Sequence, residues 1–128
     1  MTTVLVVEDE HPHLFRQALE FIGYEVLVAL RGDVAVELAR QHRPAAIIMD
    51  LRLPGLNGIQ AIRAIREFDV AVPIFAVTAY TDSYRREAAI NAGANLYQAK
   101  PVDFTILLNQ LEQAIGATID RTTTSSDG

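Results

Sequence analysis

Several ionisable side chains, far apart in the sequence, are of the types needed to handle a phosphoryl group. Glu8, Asp9 and Glu10 are consecutive acids, Asp50 ends a run of apolar residues, and Lys100 is followed by a proline. If the acids meet they repel one another, since two unit charges ~4 Å apart cost roughly 4 kcal/mol at an effective dielectric near 20. Protonation or a hard divalent cation relieves that repulsion, and ligands that are all oxygen favour Mg²⁺ or Mn²⁺ over zinc.

The same residues suggest separate roles in phosphoryl transfer. Asp50 is the candidate nucleophile, and its attack on phosphorus would form an acyl phosphate. The cation and Lys100 would neutralise the transferred oxygens, and Thr78, at the end of another apolar run, would hydrogen-bond the product. The plainer interpretations are an acidic helix cap at residues 8–10 and a solvated surface lysine, and each is weakened by the presence of the other groups.

These side chains need a scaffold that brings distant segments together, and the apolar pattern predicts one. Five short, nearly continuous apolar runs lie at residues 4–7, 25–30, 45–49, 73–77 and 95–99. Continuous rather than alternating runs are typical of strands covered on both faces, as in a parallel sheet. The run at 95–99 is the least apolar of the five and also fits an edge strand.

Amphipathic segments separate the apolar runs and predict five helices. Their apolar positions recur at helical spacing: Leu14, Phe15, Ala18, Leu19 and Ile22; Val34, Ala35 and Leu38; Ile59, Ile62 and Ile65; Ala88, Ala89 and Ala92; Phe104, Leu107, Leu108, Leu111 and Ile115. Asn57 is the predicted N-cap of the third helix, Gly93 follows the end of the fourth, and Asp103 caps the fifth. Strands therefore alternate with helices along the chain.

The predicted fold class is α/β, a doubly wound, flavodoxin-like three-layer sandwich around a five-stranded parallel sheet in the order 2-1-3-4-5. In such sheets ligands bind at the carboxyl ends of the strands. Strands 1 and 3 are neighbours in this order, so we expect Glu8 and Asp9 to lie beside Asp50. Thr78 and Lys100 follow strands 4 and 5 and reach the same edge.

Length and composition limit the domain organisation and the classes of function. The chain has 128 residues and 14.1 kDa, is 50% hydrophobic and has a mean hydropathy of +0.16, which fits one domain with a substantial core. We place the domain at residues 1–119 and expect 120–128, which lack an apolar period, to be a disordered polar tail. The net charge of −5 argues against direct binding of nucleic acid, and the lack of cysteine excludes disulfides.

The sequence shows no sign of export or of membrane insertion. The N-terminus lacks a basic segment before the first apolar run, and no apolar run approaches the ~20 residues that a membrane helix needs. We therefore expect a cytoplasmic domain without a membrane partner.

Five motifs together resemble the receiver domain of response regulators in two-component signalling, the family that includes chemotaxis regulators. They are residues 6–10 (VVEDE), 49–58 (MDLRLPGLNG), 77–79 (VTA), 92–94 (AGA) and 100–101 (KP). Each motif is weak alone, but all five occur in the right order and spacing over about residues 3–117. The resemblance implies a phosphoprotein of a phosphorelay, whose phosphate donor is a histidine kinase or a phosphotransfer protein.

The resemblance also implies a role for each residue of the site. Asp50 would accept phosphate from a phosphohistidine. Asp9 would be a direct carboxylate ligand of Mg²⁺, Glu8 would act on the metal through water, and the main-chain carbonyl of Arg52 would be a further ligand beside Asp50 itself. In this family the peptide bond that matches Lys100–Pro101 is usually cis.

A conformational switch is the expected output. Thr78 would move toward the phosphate and Tyr97 would turn inward, reshaping the face formed by helix 4, strand 5 and helix 5. That face would control a downstream protein or output domain. A half-buried strand aromatic is the plainer interpretation of Tyr97. The resemblance implies no enzyme beyond self-phosphorylation and autodephosphorylation, and the sequence leaves open whether the domain forms a homodimer or belongs to a larger regulator.

Three side chains are predicted to flank the phosphate: Arg52, Ala79 and Tyr80. Arg52 and Tyr80 are large, and we hypothesise that they hinder the attacking water and prolong the phosphorylated state.

Three other functions compete with the phosphorylated switch. A Mg²⁺-dependent phosphohydrolase with an aspartate nucleophile usually has a second carboxylate two residues later, where this chain has Arg52. A flavin or nucleotide binder needs a Gly- or Ser/Thr-rich loop after strand 1, where this chain has the acidic residues 8–10. An interaction module that works without phosphate is disfavoured because every residue of the pocket is present.

Overall fold

The computed structural model describes residues 2–79 and 83–127, and it alternates strands with helices throughout. The elements in chain order are β1 (Thr3–Val7), α1 (Pro12–Phe21), β2 (Glu25–Ala29), α2 (Gly32–His42), β3 (Ala46–Asp50), α3 (Gly58–Arg66), β4 (Ile74–Thr78), α4 (Ser83–Ala92), β5 (Leu96–Ala99) and α5 (Phe104–Asp127). Each apolar run identified in the sequence forms a strand, and each amphipathic stripe forms a helix.

The five strands form one parallel sheet in the order β2-β1-β3-β4-β5, which confirms the predicted topology and makes β5 an edge strand. The register aligns the carboxyl ends of the central strands. Asp50 pairs with Val77, and Thr78 pairs with Ala99, the residue before Lys100. The carboxyl ends of β3, β4 and β5 therefore lie at the same edge of the sheet.

The continuous apolar runs are explained by a core on both faces of the sheet. All four residues at positions 4–7 are fully buried. Val4 and Val6 pack on the side of α1 and α5 with Phe15 and Leu111. Leu5 and Val7 belong to the opposite cluster with side chains of α2, α3 and α4, such as Ile62.

The helix ends follow the predicted chemistry. Asn57 and Gln60 form a reciprocal capping box, in which the Asn57 side chain accepts from the Gln60 amide at 2.9 Å and the Gln60 side chain accepts from the Asn57 amide at 3.1 Å. Asp103 accepts from the amide of Ile106 at 3.2 Å and so caps α5. Gly93 follows α4 with a φ of +125°, as expected for a residue just past a helix end.

Helix α5 runs to Asp127 and so passes residue 119, at which we placed the end of the domain. The disordered polar tail expected at residues 120–128 stays a prediction. Ile115 is the last core residue of α5 among the side chains that the structure describes. An apolar period reports only the part of a helix that packs on the core.

No helix within residues 2–79 and 83–127 combines the length and the hydropathy needed to cross a membrane.

Candidate functional site

Glu8 follows directly after β1 and is the most deeply placed acid of the site, with 0% of its surface exposed. Its Oε2 accepts the amides of Glu10 at 2.9 Å and His11 at 2.8 Å. Its Oε1 accepts Nζ of Lys100 at 2.5 Å. A fully buried carboxylate requires such partners, and these bonds also shape the loop that presents Asp9.

Asp50 is the last residue of β3 and is 1% exposed. Its Oδ1 accepts the amide of Arg52 at 2.9 Å, and its Oδ2 accepts Nζ of Lys100 at 2.9 Å. The chain just beyond it is fixed by the amide of Leu51, which donates to the carbonyl of Val77 on β4 at 3.0 Å. Asp50 is therefore held in one orientation at the sheet edge.

Lys100 joins the two buried acids. Its side chain is 17% exposed, and its ammonium group contacts Glu8 and Asp50 together. The backbone amide of Lys100 donates to the carbonyl of Thr78 at 2.7 Å, which fixes the residue beside the end of β4. The Lys100–Pro101 peptide bond is cis, as the resemblance predicts.

The acids form a cluster suited to a hard cation. Glu8, Asp9, Glu10 and Asp50 each offer a carboxylate oxygen, and these oxygens lie within 4.8 Å of one another. Asp9 and Glu10 are exposed, whereas the other two are buried. In the part of the chain that the structure describes, this is the one group of three or more potential ligands at such distances. A set of oxygen donors alone fits Mg²⁺ or Mn²⁺.

The environment shifts the pKa of Asp50 upward. Burial raises this pKa to about 6 from the ordinary 3.8. The amide of Arg52 and the ammonium group of Lys100 oppose the increase, and the negative charge of Glu8 adds to it. Burial therefore disfavours the charged form of Asp50.

Glu8 and Lys100 are shifted so that both keep their charge. Burial alone would raise the pKa of Glu8, but the hydrogen bonds from Lys100, His11 and Glu10 outweigh burial and hold this pKa below its ordinary value. Burial alone would lower the pKa of Lys100, but its bonds to Glu8 and Asp50 outweigh burial and raise it. At neutral pH these two residues form a charged pair.

An open cleft of about 720 Å³ leads to the acids. Asp9 and Asp50 line it together with Arg52, Tyr84 and Arg85. Tyr84 and Arg85, in the first turn of α4, line the cleft, and the sequence analysis assigned no role to either. The predicted topology gave a reason to include them, because the first turn of a helix that follows a parallel strand lies at the carboxyl edge of the sheet.

Thr78 ends β4 and is fully buried. Its hydroxyl oxygen has no hydrogen-bond partner among the described residues. Ala79, the next residue, is exposed and lines the cleft. A buried polar atom without a partner is uncommon in folded proteins, and this one lies one residue from the cleft that reaches Asp50.

The remaining predicted residues are placed as follows. Tyr97 is half-buried in β5, pairs with Ala76 and packs against the core cluster on the α2–α4 side. Arg52 is exposed and lies on the cleft wall. Tyr80 lies outside the described residues.

Comparison with known proteins identifies relatives over nearly the whole chain. The sequence profile of a family described as the response regulator receiver domain matches residues 4–112. The polar-differentiation response regulator DivK of Brucella anthropi is 31% identical over 118 residues, which cover 89% of this chain and 96% of DivK. The transcriptional regulatory protein KdpE of Mycobacterium tuberculosis is 36% identical over 118 residues, covering 90% of this chain and 51% of KdpE. The chain thus spans about half the length of KdpE.

Solved structures agree with the sequence comparison. The receiver domain of the sensor histidine kinase PA1611 from Pseudomonas aeruginosa is 38% identical, has a TM-score of 0.84 and covers 90% of this chain, which in turn covers 98% of it. That crystal structure has a magnesium ion coordinated in its active site cleft. A CheY-like receiver domain from Methanospirillum hungatei has a TM-score of 0.88 at 24% identity, covers 94% of this chain and is itself covered to 98%, and it supports the fold alone.

Proposed function

The chain belongs to the family of response regulator receiver domains, and from this membership we propose that it is a signalling switch that accepts a phosphoryl group on Asp50. The observation that carries the proposal is the shared lysine. Nζ of Lys100 bonds Oδ2 of the buried Asp50 at 2.9 Å, at the end of a cleft that is open to solvent. A carboxylate nucleophile beside a fixed cation is the arrangement that phosphoryl transfer to aspartate requires.

The acidic cluster is the proposed site for Mg²⁺, with Mn²⁺ as a substitute. Asp9 and Asp50 would be direct carboxylate ligands, and the main-chain carbonyl of Arg52 would be a third. Both oxygens of Glu8 already accept hydrogen bonds from protein donors, which supports a role for Glu8 through water rather than in direct contact. The cation would supply positive charge to the oxygens of the incoming phosphoryl group.

Three protein groups would have separate roles in the proposed transfer. The Arg52 amide holds one oxygen of Asp50, so the carboxylate cannot rotate freely as it attacks phosphorus. Lys100 can pass from Asp50 to a phosphoryl oxygen without leaving Glu8, because its ammonium group has three donors. The buried hydroxyl of Thr78 would donate to another phosphoryl oxygen.

We propose that phosphorylation is communicated through Thr78 and Tyr97 to the face formed by α4, β5 and α5. Ile90, Leu96 and Ile106 are exposed apolar side chains, one on each of these elements. They supply the apolar area that a partner protein or output domain would cover. The phosphate donor would be a histidine kinase or a phosphotransfer protein, in the cytoplasm.

The test is intact-mass measurement after incubation with acetyl phosphate and MgCl₂. We expect one added phosphate on the wild-type chain and none on Asp50→Ala. Asp33→Asn, an exposed aspartate at the start of α2, is the matched control and should gain the phosphate normally. No adduct on the wild type, or an adduct on Asp50→Ala, would contradict the proposal. Release of many phosphates per protein molecule would favour the phosphohydrolase instead.

A further inference from the structure

Arg66, the last residue of α3, bonds two loops with one guanidinium group: the loop after α3 and the loop between α4 and β5. Its Nε and Nη2 donate to the carbonyl of Gly93 at 3.0 and 2.8 Å, and Nη2 also donates to Oδ1 of Asn95 at 3.0 Å. Its Nη1 donates to the carbonyl of Asp69 at 3.0 Å. We call this set of contacts the Arg66 clamp. Four charge-assisted hydrogen bonds from a half-buried side chain make a strong local restraint.

The clamp holds α4 at its C-terminal end. The amide of Ala94 donates to the carbonyl of Ala89 at 3.0 Å, and the amide of Gly93 donates to that of Ile90 at 3.0 Å, the pattern of a Schellman cap. Gly93 has a φ of +125°, and a Cβ there would lie 2.7 Å from Cγ of Arg66. A glycine is therefore needed at position 93 for two reasons, the positive φ of the turn and the close approach of Arg66.

The clamp is anchored to the sheet as well as to α3. Oδ1 of Asn95, which Arg66 contacts, also accepts the amide of Ile74 at 2.7 Å. The amide of Asn95 donates back to the carbonyl of Ile74 at 2.8 Å. Because Ile74 begins β4, the end of α4 is tied to α3 and to a central strand at once.

The two halves of helix α4 differ in how deeply their side chains are buried. Its buried side chains are Ala89 and Ala92, both in the C-terminal half, among the residues of α4 whose side chains are described. Those at positions 84–87 are exposed or half-buried, and Tyr84 and Arg85 line the cleft that leads to Asp50. The end of α4 nearest the proposed phosphorylation site is thus the end with less apolar burial.

We propose that Arg66 is a positioning residue that fixes the C-terminal end of α4, so that α4 moves by pivoting about Gly93. The clamp itself follows from the contacts, whereas its use in signalling rests on the proposed function. A helix of ten residues is about 15 Å long, so a pivot at one end places the largest displacement in the first turn, beside the cleft.

The first test needs no phosphate. Hydrogen–deuterium exchange of the whole chain is followed by mass spectrometry in Arg66→Ala, Arg66→Lys and the control Arg63→Ala, which removes an exposed arginine from the same turn of α3. We expect Arg66→Ala to raise exchange at residues 89–95 about tenfold over the control. Arg66→Lys should give a smaller increase than Arg66→Ala, because an ammonium group can keep some of these hydrogen bonds. It should still exceed the control, because one ammonium group cannot span Gly93, Asn95 and Asp69. If Arg66→Ala does not fold, Arg66→Lys against Arg63→Ala decides the same question.

The second test uses acetyl phosphate and MgCl₂, with phosphorylation checked by intact mass. In the wild type we expect phosphorylation to change exchange at 84–88 and to leave 89–95 protected, and in Arg66→Lys to change both segments. Equal exchange at 89–95 in the Arg66 and Arg63 variants would overturn the clamp. Equal changes at 84–88 and 89–95 in the phosphorylated wild type would overturn the pivot. A chain that never gains phosphate overturns the proposed function, and the first test then decides the clamp alone.

Discussion

The ammonium nitrogen of Lys100 lies 2.9 Å from a carboxylate oxygen of Asp50, although β4 separates their two strands in the sheet. Lys100 is also the only lysine in the chain. The same nitrogen bonds the buried Glu8, so one cation serves two acids, one just after β1 and one at the end of β3. The fold nevertheless shifts the pKa values of these two acids in opposite directions, and this difference gives the first prediction.

We predict that removing the charges of Asp50 and Glu8 changes stability in opposite directions when no divalent cation is present. The pKa of Asp50 is raised from 3.8 to about 6, so the folded state favours its protonated form, and its charge destabilises the fold above about pH 6. Asp50→Asn should therefore raise the free energy of unfolding by about 2 kcal/mol at pH 7.5. The gain should shrink as the pH falls from 6 to 4.

The pKa of Glu8 is lowered, so its charge stabilises the fold above its ordinary pKa of 4.5, and this contribution is lost as the pH falls through the lowered value. Glu8→Gln should lower the free energy of unfolding by about 2 kcal/mol at pH 7.5, and by less in acid, because it weakens hydrogen bonds made to a charged group. Urea denaturation in EDTA at several pH values measures both variants. Glu67→Gln, at an exposed acid, is the control, and changes of the same sign in both site variants would refute the assignment.

A second prediction concerns the backbone that carries Asp50. A Cβ on Gly58 would lie 2.3 Å from the carbonyl oxygen of Asp50 and 2.6 Å from Cα of Leu51, both of them backbone atoms that cannot move alone. Gly58→Ala should destabilise the protein by at least about 2 kcal/mol. Gly116→Ala, in α5 with nothing within 4 Å of the added carbon, should instead stabilise it by about 0.5–1 kcal/mol. Thermal denaturation compares the two, and similar effects would show that the close approach is not limiting.

The third prediction tests the proposed cation site. Asp9 is exposed and lies in the acidic cluster, so Asp9→Asn should fold normally but bind Mg²⁺ about tenfold or more weakly. Isothermal titration calorimetry with MgCl₂ or MnCl₂ measures the affinity. Glu87→Gln, an exposed acid on α4 outside the cluster, removes the same charge and should leave binding unchanged. Equal losses in the two variants would point to general electrostatic attraction in place of a defined site.

The fourth prediction concerns the lifetime of the phosphorylated state. Arg52 lines the cleft that Asp50 also lines, and our hypothesis is that its large side chain restricts the approach of water to the phosphate. We expect Arg52→Ala to lose phosphate several-fold faster than the wild type, and Tyr80→Ala to act in the same direction. Loss of the phosphate adduct is timed by intact mass after removal of the donor, with Arg63→Ala as the control. Lifetimes that match the control would end this hypothesis.

The site was largely predictable because parallel topology constrains it. Once short strands alternate with helices, every residue that follows a strand must lie at the same edge, and the order β2-β1-β3-β4-β5 places Glu8 beside Asp50. The capping residues Asn57 and Asp103 were also predictable, because a polar side chain just before an apolar stripe has a local reason to be there.

The features that were not predictable depend on where loops close in space. Arg66 looks like an ordinary basic residue in the last turn of a helix, and only the folded chain places the carbonyl of Gly93 and the side chain of Asn95 within its reach. The C-terminal bound of α5 could not be read from the sequence for a different reason, since the pattern of apolar residues reports packing and not helical backbone.

The buried hydroxyl of Thr78 bears on the balance between the two states of the proposed switch. Its oxygen has no partner among the described residues, and a buried hydroxyl left unpaired costs about 1–3 kcal/mol. Under the proposed function, a phosphoryl oxygen on Asp50 would accept a hydrogen bond from this hydroxyl. The bond would then contribute to the free energy that favours the phosphorylated conformation.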